Sequence, residues 1–223
     1  MPFSQVRAVL FDLDGTFADT APDLCRALNR MRDSRGLPPV PLESARPVTS
    51  MGARGMLNVG FELTPADAAY AEMREEFLRL YEEELCCDSV LFSGMEDVVR
   101  GITSRGLRWG IVTNKAERYA RPLVATLAPD LECACIVGGD TTPHLKPHPA
   151  SLLAACQLLE IAPAEAIYVG DDERDVLAGR AAGMATVAVR YGYLNGGAPE
   201  RWGADAVIER PRDLLALLRA GGT

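Results

Sequence analysis

The sequence predicts an α/β protein with a mostly parallel sheet and a helical segment inserted after the first strand. Three patterns lead to this prediction. Short apolar runs rich in β-formers end abruptly in polar residues, as strands buried on both faces do. From Met95 onward such runs alternate with helical periodicity, which implies right-handed crossovers and helices on both faces of the sheet. Between residues 18 and 90 the periodicity is helical, without a convincing core strand.

The first predicted strand begins at Val6 and ends in two closely spaced carboxylates, Asp12 and Asp14. In an extended chain, residues two apart project to the same side, so both carboxylates face one way. Gly15 permits a sharp turn and a close backbone approach to a ligand, and Thr16 adds a small hydroxyl. Two such carboxylates resist joint ionisation unless a cation or a shared proton compensates, and Mg²⁺ suits oxygens of this kind. Ordinary turn residues at a strand end are the alternative interpretation.

Residues 18–90 are expected to form a helical domain. Thr20 to Asp23 has the pattern of a capping box with proline in the first turn. The expected helices or helical turns cover, in order, Thr20 to Arg35, 43–51, 52–61, and Pro65 to about Leu85. The glutamates of the last helix indicate a solvated face.

The remaining chain is expected to complete the core domain, which then comprises residues 1–17 and 91–223. The expected helices are Glu96–Ser104, Ala116–Leu127, Pro149–Leu159, Asp172–Ala182 and Pro211–Leu218. The expected strands are Arg108–Asn114, Cys133–Val137, Ala166–Gly170, Ala185–Val189 and Ala206–Ile208. Strands separated by helices in this way favour a parallel sheet.

Composition excludes several classes of function. The net charge of −8 argues against a nucleic-acid binder, although a small phosphate ester needs only a local positive site. No apolar run is long enough to cross a bilayer, and the first residues lack the regions of a signal peptide. We therefore expect a cytoplasmic protein with no membrane partner. Six cysteines without a Cys-x-x-Cys pattern favour reduced thiols, and two histidines give little support to zinc or a Ser-His-Asp triad.

Polar side chains follow three of the predicted strands where each strand ends. The clusters are Asp12 to Asp14, Thr113 to Lys115, and Gly170 to Asp172. Ligands of open parallel sheets bind beyond the carboxyl ends of the strands. Helix capping is an alternative explanation for each cluster taken separately. Three clusters together, with Lys146 before a further helix, favour one shared site.

The string Phe-Asp-Leu-Asp-Gly-Thr at residues 11–16 resembles the first motif of the haloacid dehalogenase-like hydrolases, and the resemblance extends over essentially the whole chain. It implies a Rossmann-like core with a helical cap, formed here by residues 18–90. The implied catalytic residues are Asp12 as nucleophile, Asp14 as general acid and base, and Lys146 as the lysine that binds the phosphoryl group and steadies the nucleophile. The implied phosphate-binding residues are Gly15, Thr16, Thr113 and Asn114. The implied metal ligands are Asp12, Asp14 and Asp171, with Asp172 and Asp175 as supports of the metal site.

The resemblance also implies a magnesium-dependent phosphatase that acts on a small phosphorylated metabolite, as a monomer or homodimer. Asp12 would attack phosphorus to form an aspartyl-phosphate, and Asp14 would protonate the leaving alkoxide and then activate water. The family's transport ATPases typically lack a carboxylate at the position of Asp14, which favours phosphatase or phosphomutase chemistry. A β-phosphoglucomutase-like isomerase and a non-catalytic phosphometabolite-binding protein are the alternatives.

Within the family, the chain is most similar to the phosphoglycolate phosphatase group, including the bacterial N-acetylmuramic acid 6-phosphate phosphatases. Ser50 to Gly55 and Val189 to Tyr193 resemble the sugar-phosphatase side of that group. Both 2-phosphoglycolate and N-acetylmuramic acid 6-phosphate carry a carboxylate. Arg54, in the loop-like Ser50 to Gly55 stretch, is the candidate to bind it bidentately. The alternative for Arg54 is a surface arginine on a short helix.

Overall fold

A computed structural model describes residue 3 and residues 5–219. The strands are β1 (Ala8–Phe11), β2 (Ala18–Asp19), β3 (Val90–Leu91), β4 (Arg108–Val112), β5 (Cys135–Val137), β6 (Ala166–Gly170), β7 (Ala185–Val189) and β8 (Ala206–Ile208). The α-helices are α1 (Ala21–Asp33), α2 (Leu42–Ala45), α3 (Ala53–Phe61), α4 (Tyr70–Glu83), α5 (Met95–Thr103), α6 (Glu117–Leu127), α7 (Ala150–Leu159), α8 (Glu173–Ala182) and α9 (Leu214–Arg219).

Six strands form one parallel sheet in the order β5-β4-β1-β6-β7-β8, which confirms the predicted α/β fold. β1 lies in the interior of the sheet and pairs with both β4 and β6. Its side chains alternate between two hydrophobic clusters: Val9 and Phe11 pack into one, and Ala8 and Leu10 into the other. Burial on both faces explains why β1 is a continuous apolar run in the sequence.

The helices α1, α3 and α4 pack around a third hydrophobic cluster, and we call residues 18–91 the helical insertion. Leu28, Met56 and Phe77 are fully buried in this cluster, and Tyr119 of α6 joins it from the core. The short antiparallel pair β2–β3 joins the two ends of the helical insertion. The division into a core domain of residues 1–17 and 91–223 and a cap domain of residues 18–90 stays a prediction.

Local structure differs from the sequence prediction at several positions. Thr20 does not cap α1: its side chain makes no capping hydrogen bond, and its hydroxyl donates instead to the Asp14 carboxylate. The long helix begins at Tyr70 rather than Pro65, because the N–H and hydroxyl of Thr64 both donate to Asp67 and close a separate turn. In each case a side-chain partner competes with the local helical pattern.

Two further elements are shorter than predicted. Cys133 lies outside β5, which begins at Cys135. The last predicted helix begins as a 3-10 turn at Pro211 and becomes α-helical at Leu214.

In the part of the chain that the structure describes, no helix combines the length and apolar character needed to cross a bilayer.

Candidate active site

The candidate site lies in the crevice beyond the carboxyl ends of β1 and β6. After β1 the sheet is extended to one side, through β4 and β5, and after β6 to the other, through β7 and β8. Ligands of open α/β sheets bind where the strand order reverses in this way. Asp12 directly follows β1, and Asp171 directly follows β6. The N–H of Asp12 donates to the carbonyl of Val169 at 2.9 Å, which extends the ladder and holds Asp12 beside β6.

Lys146 is a buried cation at the centre of this crevice. Its Nζ lies 2.9 Å from Asp12 Oδ1 and 2.7 Å from Asp175 Oδ1, and it donates to the Tyr168 hydroxyl at 2.7 Å. Burial opposes the charge of the Lys146 ammonium, but Asp12 and Asp175 outweigh it and raise the pKa of the lysine. Burial raises the pKa of Asp12 to about 6, and the Lys146 charge offsets only part of that effect.

Three carboxylates, those of Asp12, Asp171 and Asp175, form an acidic trio whose oxygens lie within 4.8 Å of one another. Asp171 is fully buried; it accepts hydrogen bonds from the Thr16 hydroxyl at 3.1 Å and from the Tyr193 N–H at 2.8 Å. Burial, followed by the charges of Asp12 and Asp175, raises the pKa of Asp171 well above its usual range. Such crowding of oxygen ligands fits Mg²⁺, because a divalent cation offsets their mutual repulsion.

Two glycines allow the backbone to enclose Asp171. Gly15 has a φ of +86°, and a Cβ at this position would collide with the Asp171 carboxylate. A Cβ at Gly192 would collide with the Cβ of Asp171. The close approach predicted for Gly15 is therefore made to Asp171, and the buried Thr16 hydroxyl is likewise bonded to Asp171. A contact of these two residues with phosphate stays a prediction.

The Asp14 carboxylate lies outside the acidic trio and forms a separate ion pair. Its Oδ1 and Oδ2 lie 2.9 and 3.2 Å from Lys115 Nζ, and the Thr20 hydroxyl donates to Oδ1. The trio thus contains Asp175, predicted as a support of the metal site, and does not contain Asp14, predicted as a metal ligand. Lys115 belongs to one of the polar clusters predicted from the sequence, but the sequence pattern predicts no specific role for it. Its position directly after Thr113 and Asn114 is the signal that could have identified it.

Asn114 and Thr113 line the same crevice, and their hydrogen bonds organise its loops. Asn114 accepts from the Lys146 N–H at 2.9 Å and donates to the Lys146 carbonyl at 3.1 Å. The Thr113 hydroxyl accepts from the Lys115 N–H at 3.2 Å, while the Thr113 N–H donates to the Val137 carbonyl at 3.0 Å. Asn114 therefore fixes the backbone that carries the buried lysine.

Asp172 is the N-cap of α8. Its carboxylate accepts from the N–H of Arg174 at 2.9 Å and pairs bidentately with the Arg174 guanidinium at 2.8 Å. Burial disfavours the charge of Asp172, but the Arg174 hydrogen bonds outweigh burial and lower its pKa. Arg174 also donates to the Ser50 carbonyl at 3.1 Å, and this hydrogen bond connects the start of α8 to the helical insertion. Of the two interpretations of Asp172, the structure supports helix capping.

A cavity of about 690 Å³ opens above these residues, between the core and the helical insertion. Arg54 lines it, together with three further arginines: Arg74, Arg118 and Arg174. The Ser50 to Gly55 stretch is not a loop, because a 3-10 helix ends at Met51 and α3 begins at Ala53. Arg54 is therefore an exposed arginine in the first turn of a helix, and it also borders the cavity.

Comparison with known proteins agrees with this architecture. Residues 9–189 match the family model of the haloacid dehalogenase-like hydrolases. The chain is 46% identical over 209 residues to a phosphoglycolate phosphatase of Xanthomonas campestris pv. campestris (strain 8004), covering 93% of this chain and 94% of the relative. It is 40% identical over 215 residues to an N-acetylmuramic acid 6-phosphate phosphatase of Pseudomonas aeruginosa, covering 96% and 95% of the two chains.

A solved structure shows the same fold. The crystal structure of a predicted phosphoglycolate phosphatase from Haemophilus somnus 129pt superposes with a TM-score of 0.83 at 25% identity, covering 96% of this chain and 98% of that one. The family match covers most of the chain, and the curated relatives align over nearly their full length. The chain therefore belongs to the haloacid dehalogenase-like hydrolases, and within that family it is a phosphatase.

Proposed function

We propose that the chain is a magnesium-dependent phosphatase that hydrolyses small carboxylated phosphate monoesters through an aspartyl-phosphate intermediate. The observation that carries this proposal is the buried Lys146 ammonium, 2.9 Å from Asp12 at the switch point of the sheet. A phosphate ester repels an anionic nucleophile, so positive charge beside Asp12 is the feature that this reaction needs most. We also propose that it acts in the cytoplasm as a monomer or homodimer, with residues 18–90 as its cap.

In the proposed reaction, a carboxylate oxygen of Asp12 attacks phosphorus while the bond to the leaving alkoxide breaks. Lys146 offsets the charge that builds up on the phosphoryl oxygens and keeps Asp12 oriented, and Asp175 and Tyr168 hold Lys146 in place. Mg²⁺ bound by Asp12, Asp171 and Asp175 would supply further positive charge against the repulsion between phosphate and carboxylate.

Asp14 is proposed as the group that moves protons. Protonated Asp14 gives its proton to the leaving alkoxide in the first step. The resulting carboxylate then takes a proton from the water that attacks phosphorus, as the bond between phosphorus and Asp12 breaks. Asp14 lines the same cavity as Asp12, where both steps are proposed to take place.

The names of the relatives indicate two substrates, 2-phosphoglycolate and N-acetylmuramic acid 6-phosphate, and the size of the cavity favours the larger one. Its volume of about 690 Å³ falls within the roughly 300–1,000 Å³ typical of pockets that enclose drug-sized ligands. A two-carbon phosphate such as 2-phosphoglycolate would leave most of this space filled with water. A carboxylated amino-sugar phosphate such as N-acetylmuramic acid 6-phosphate would reach from the Asp12–Lys146 pair toward the arginines of the cavity wall, including Arg54.

A panel of phosphorylated metabolites tests this proposal directly. We expect release of inorganic phosphate, with the highest kcat/KM for a carboxylated sugar phosphate, an intermediate value for 2-phosphoglycolate and a low value for an uncharged sugar phosphate. Product analysis by ³¹P NMR separates hydrolysis from isomerisation. Conversion of one sugar phosphate into another without phosphate release would contradict the phosphatase proposal and favour a phosphomutase.

Removal of divalent cations is expected to abolish activity and to lower stability. The acidic trio binds Mg²⁺ only in the folded state, so saturation at about 100 times the dissociation constant contributes about 2.7 kcal/mol. The raised pKa of Asp171 means that its ionisation, as pH rises, destabilises the metal-free fold, whereas Mg²⁺ favours the ionised form. The increase in melting temperature on adding Mg²⁺ should therefore be larger at neutral than at acidic pH. Full activity after exhaustive chelation would contradict the metal proposal.

Replacing Arg54 with alanine is expected to affect carboxylated substrates selectively. Arg54 lines the cavity, where its guanidinium can form a bidentate pair with a substrate carboxylate. We expect kcat/KM for N-acetylmuramic acid 6-phosphate to fall by about 10- to 100-fold, corresponding to a charged hydrogen-bonded pair of about 1.5–3 kcal/mol. Glucose 6-phosphate, which lacks the carboxylate, should be almost unaffected. An equal loss on both substrates would assign Arg54 to closure or folding instead.

A further inference from the structure

Lysine is a rare residue in this chain. Of its 23 basic residues only Lys115 and Lys146 are lysines, so every other cationic side chain is an arginine. Both ammonium groups are buried against site carboxylates, Lys115 on Asp14 and Lys146 on Asp12. An ammonium is a compact point charge, whereas a guanidinium is a broad planar fork, so lysine fits a narrow buried gap that arginine does not. The proposed mechanism uses Lys146 but leaves Lys115 without a role.

The backbone of Lys115 is fixed on both sides. Its carbonyl accepts from the Gly139 N–H at 2.8 Å, and its N–H donates to the Thr113 hydroxyl at 3.2 Å. The side chain then crosses from the end of β4 to the segment that follows β1, where Nζ lies 2.9 Å from Asp14 Oδ1. The Lys115 and Asp14 side chains are only 8% and 13% exposed, so water screens this pair weakly.

The helical insertion covers another side of the same ammonium. Lys115 Nζ lies 4.8 Å from the centre of the Tyr81 ring, within the range of a cation–π contact. Tyr81 belongs to α4 and packs edge-on against Tyr119 of the core, with ring centres 5.6 Å apart. Lys115 therefore connects the catalytic carboxylate of the core with an aromatic ring of the helical insertion.

We propose that Lys115 is a positioning residue, which holds the Asp14 carboxyl group in the orientation required for its two proton transfers, and that Tyr81 completes this hold when the helical insertion packs on the core. The inference rests on the proposed function, in which Asp14 is the general acid and base. Lys115 itself neither gains nor loses a proton. It acts by restricting the rotation of the Asp14 carboxyl group through contacts with both oxygens, while the Thr20 hydroxyl donates to Oδ1.

The test compares two leaving groups. An alkyl phosphate needs a proton from Asp14 as its alkoxide departs, whereas p-nitrophenyl phosphate releases a stable phenolate without one. Since kcat/KM reports formation of the aspartyl-phosphate, Lys115→Met should lower it by about 10²-fold for the alkyl ester, within the usual range for general acid catalysis. For the aryl ester the loss should be less than about 10-fold. A purely structural role for Lys115 would lower both values equally.

A double-mutant cycle separates this inference from the proposed function. If Lys115 acts through Asp14, the variant carrying both Lys115→Met and Asp14→Asn should be no slower on the alkyl ester than Asp14→Asn alone. Independent, additive losses would overturn the positioning role, as would an unchanged Lys115→Met enzyme. Unimpaired hydrolysis of the alkyl ester by Asp14→Asn itself would instead overturn the proposed function.

The presence of only two lysines also provides a control for folding. In protein labelled with ¹³C at the lysine Cε, Lys115→Met should leave a single side-chain signal, that of Lys146, at its wild-type position. If this variant does not fold, Tyr81→Leu keeps both lysines and removes the aromatic ring that contacts Lys115, together with its packing on Phe77 and Tyr119. It should show the same selective loss on the alkyl ester, smaller in size, and an equal loss on both esters would overturn the proposal.

Discussion

Replacing Asp12 with asparagine is expected to lower kcat by about 10⁴-fold or more, the order of effect seen when a covalent nucleophile is removed. The amide is a poor nucleophile and a weaker metal ligand than the carboxylate. The fold should persist, because Lys146 keeps Asp175 as an ionic partner at 2.7 Å. Steady-state hydrolysis of the best substrate, together with a thermal melt, measures both effects.

The matched control is Asp33→Asn, the same chemical change at an exposed position at the end of α1. It should leave kcat and the melting temperature unchanged. Detection of a phosphorylated protein by rapid quench in the wild-type chain, and its absence in Asp12→Asn, would add direct support. Near-normal turnover by a folded Asp12→Asn variant would falsify the covalent mechanism.

Replacing Lys146 with methionine is expected to reduce both activity and stability strongly. Methionine has a similar length but no charge, so Asp12 and Asp175 would lose the cation between them while remaining buried. Removing one partner of a buried ion pair costs about 3–5 kcal/mol. For a chain of this size that corresponds to a decrease in melting temperature of roughly 10 °C. We expect kcat to fall by about 10³-fold because the phosphoryl charge is no longer offset.

The variant Ile102→Ala serves as a control that separates the loss of activity of Lys146→Met from its loss of stability. Ile102 is fully buried in α5, in a hydrophobic cluster of the core, and its truncation should cost about 2–5 kcal/mol without a change in the site. At a temperature where both variants are folded, Ile102→Ala should retain its turnover and Lys146→Met should not. Adding Asp175→Asn to Lys146→Met should restore part of the melting temperature, since one uncompensated charge is removed. Equal turnover of the two single variants would contradict the role assigned to Lys146.

The sequence was sufficient to predict the fold and the place where the site forms. Runs such as β1 and β6 are apolar throughout because both faces are buried, and the polar residues after them mark one edge of a parallel sheet. The meeting of Asp12, Lys146 and Asp171 follows from that topology. It was therefore predictable although these residues are far apart in the chain.

The partners of individual side chains were harder to predict. Thr20 has the local pattern of a helix cap, but a tertiary contact with Asp14 competes for its hydroxyl. Asp14 and Asp12 lie on one short segment, yet only Asp12 belongs to the acidic trio, whereas Asp14 pairs with Lys115. Such choices depend on rotamers in loops that distant segments hold together. The periodicity of the sequence does not indicate which partner each side chain binds.

The interior position of β1 has a consequence for how the chain folds during synthesis. Its neighbours β4 and β6 begin only at Arg108 and Ala166, so the first strand leaves the ribosome long before either can pair with it. At about 5–20 residues per second, β6 follows β1 by roughly 8–30 s. The helical insertion, with its own hydrophobic cluster, is complete in that interval. The nascent chain must therefore keep an apolar strand from aggregating until its second half has been translated.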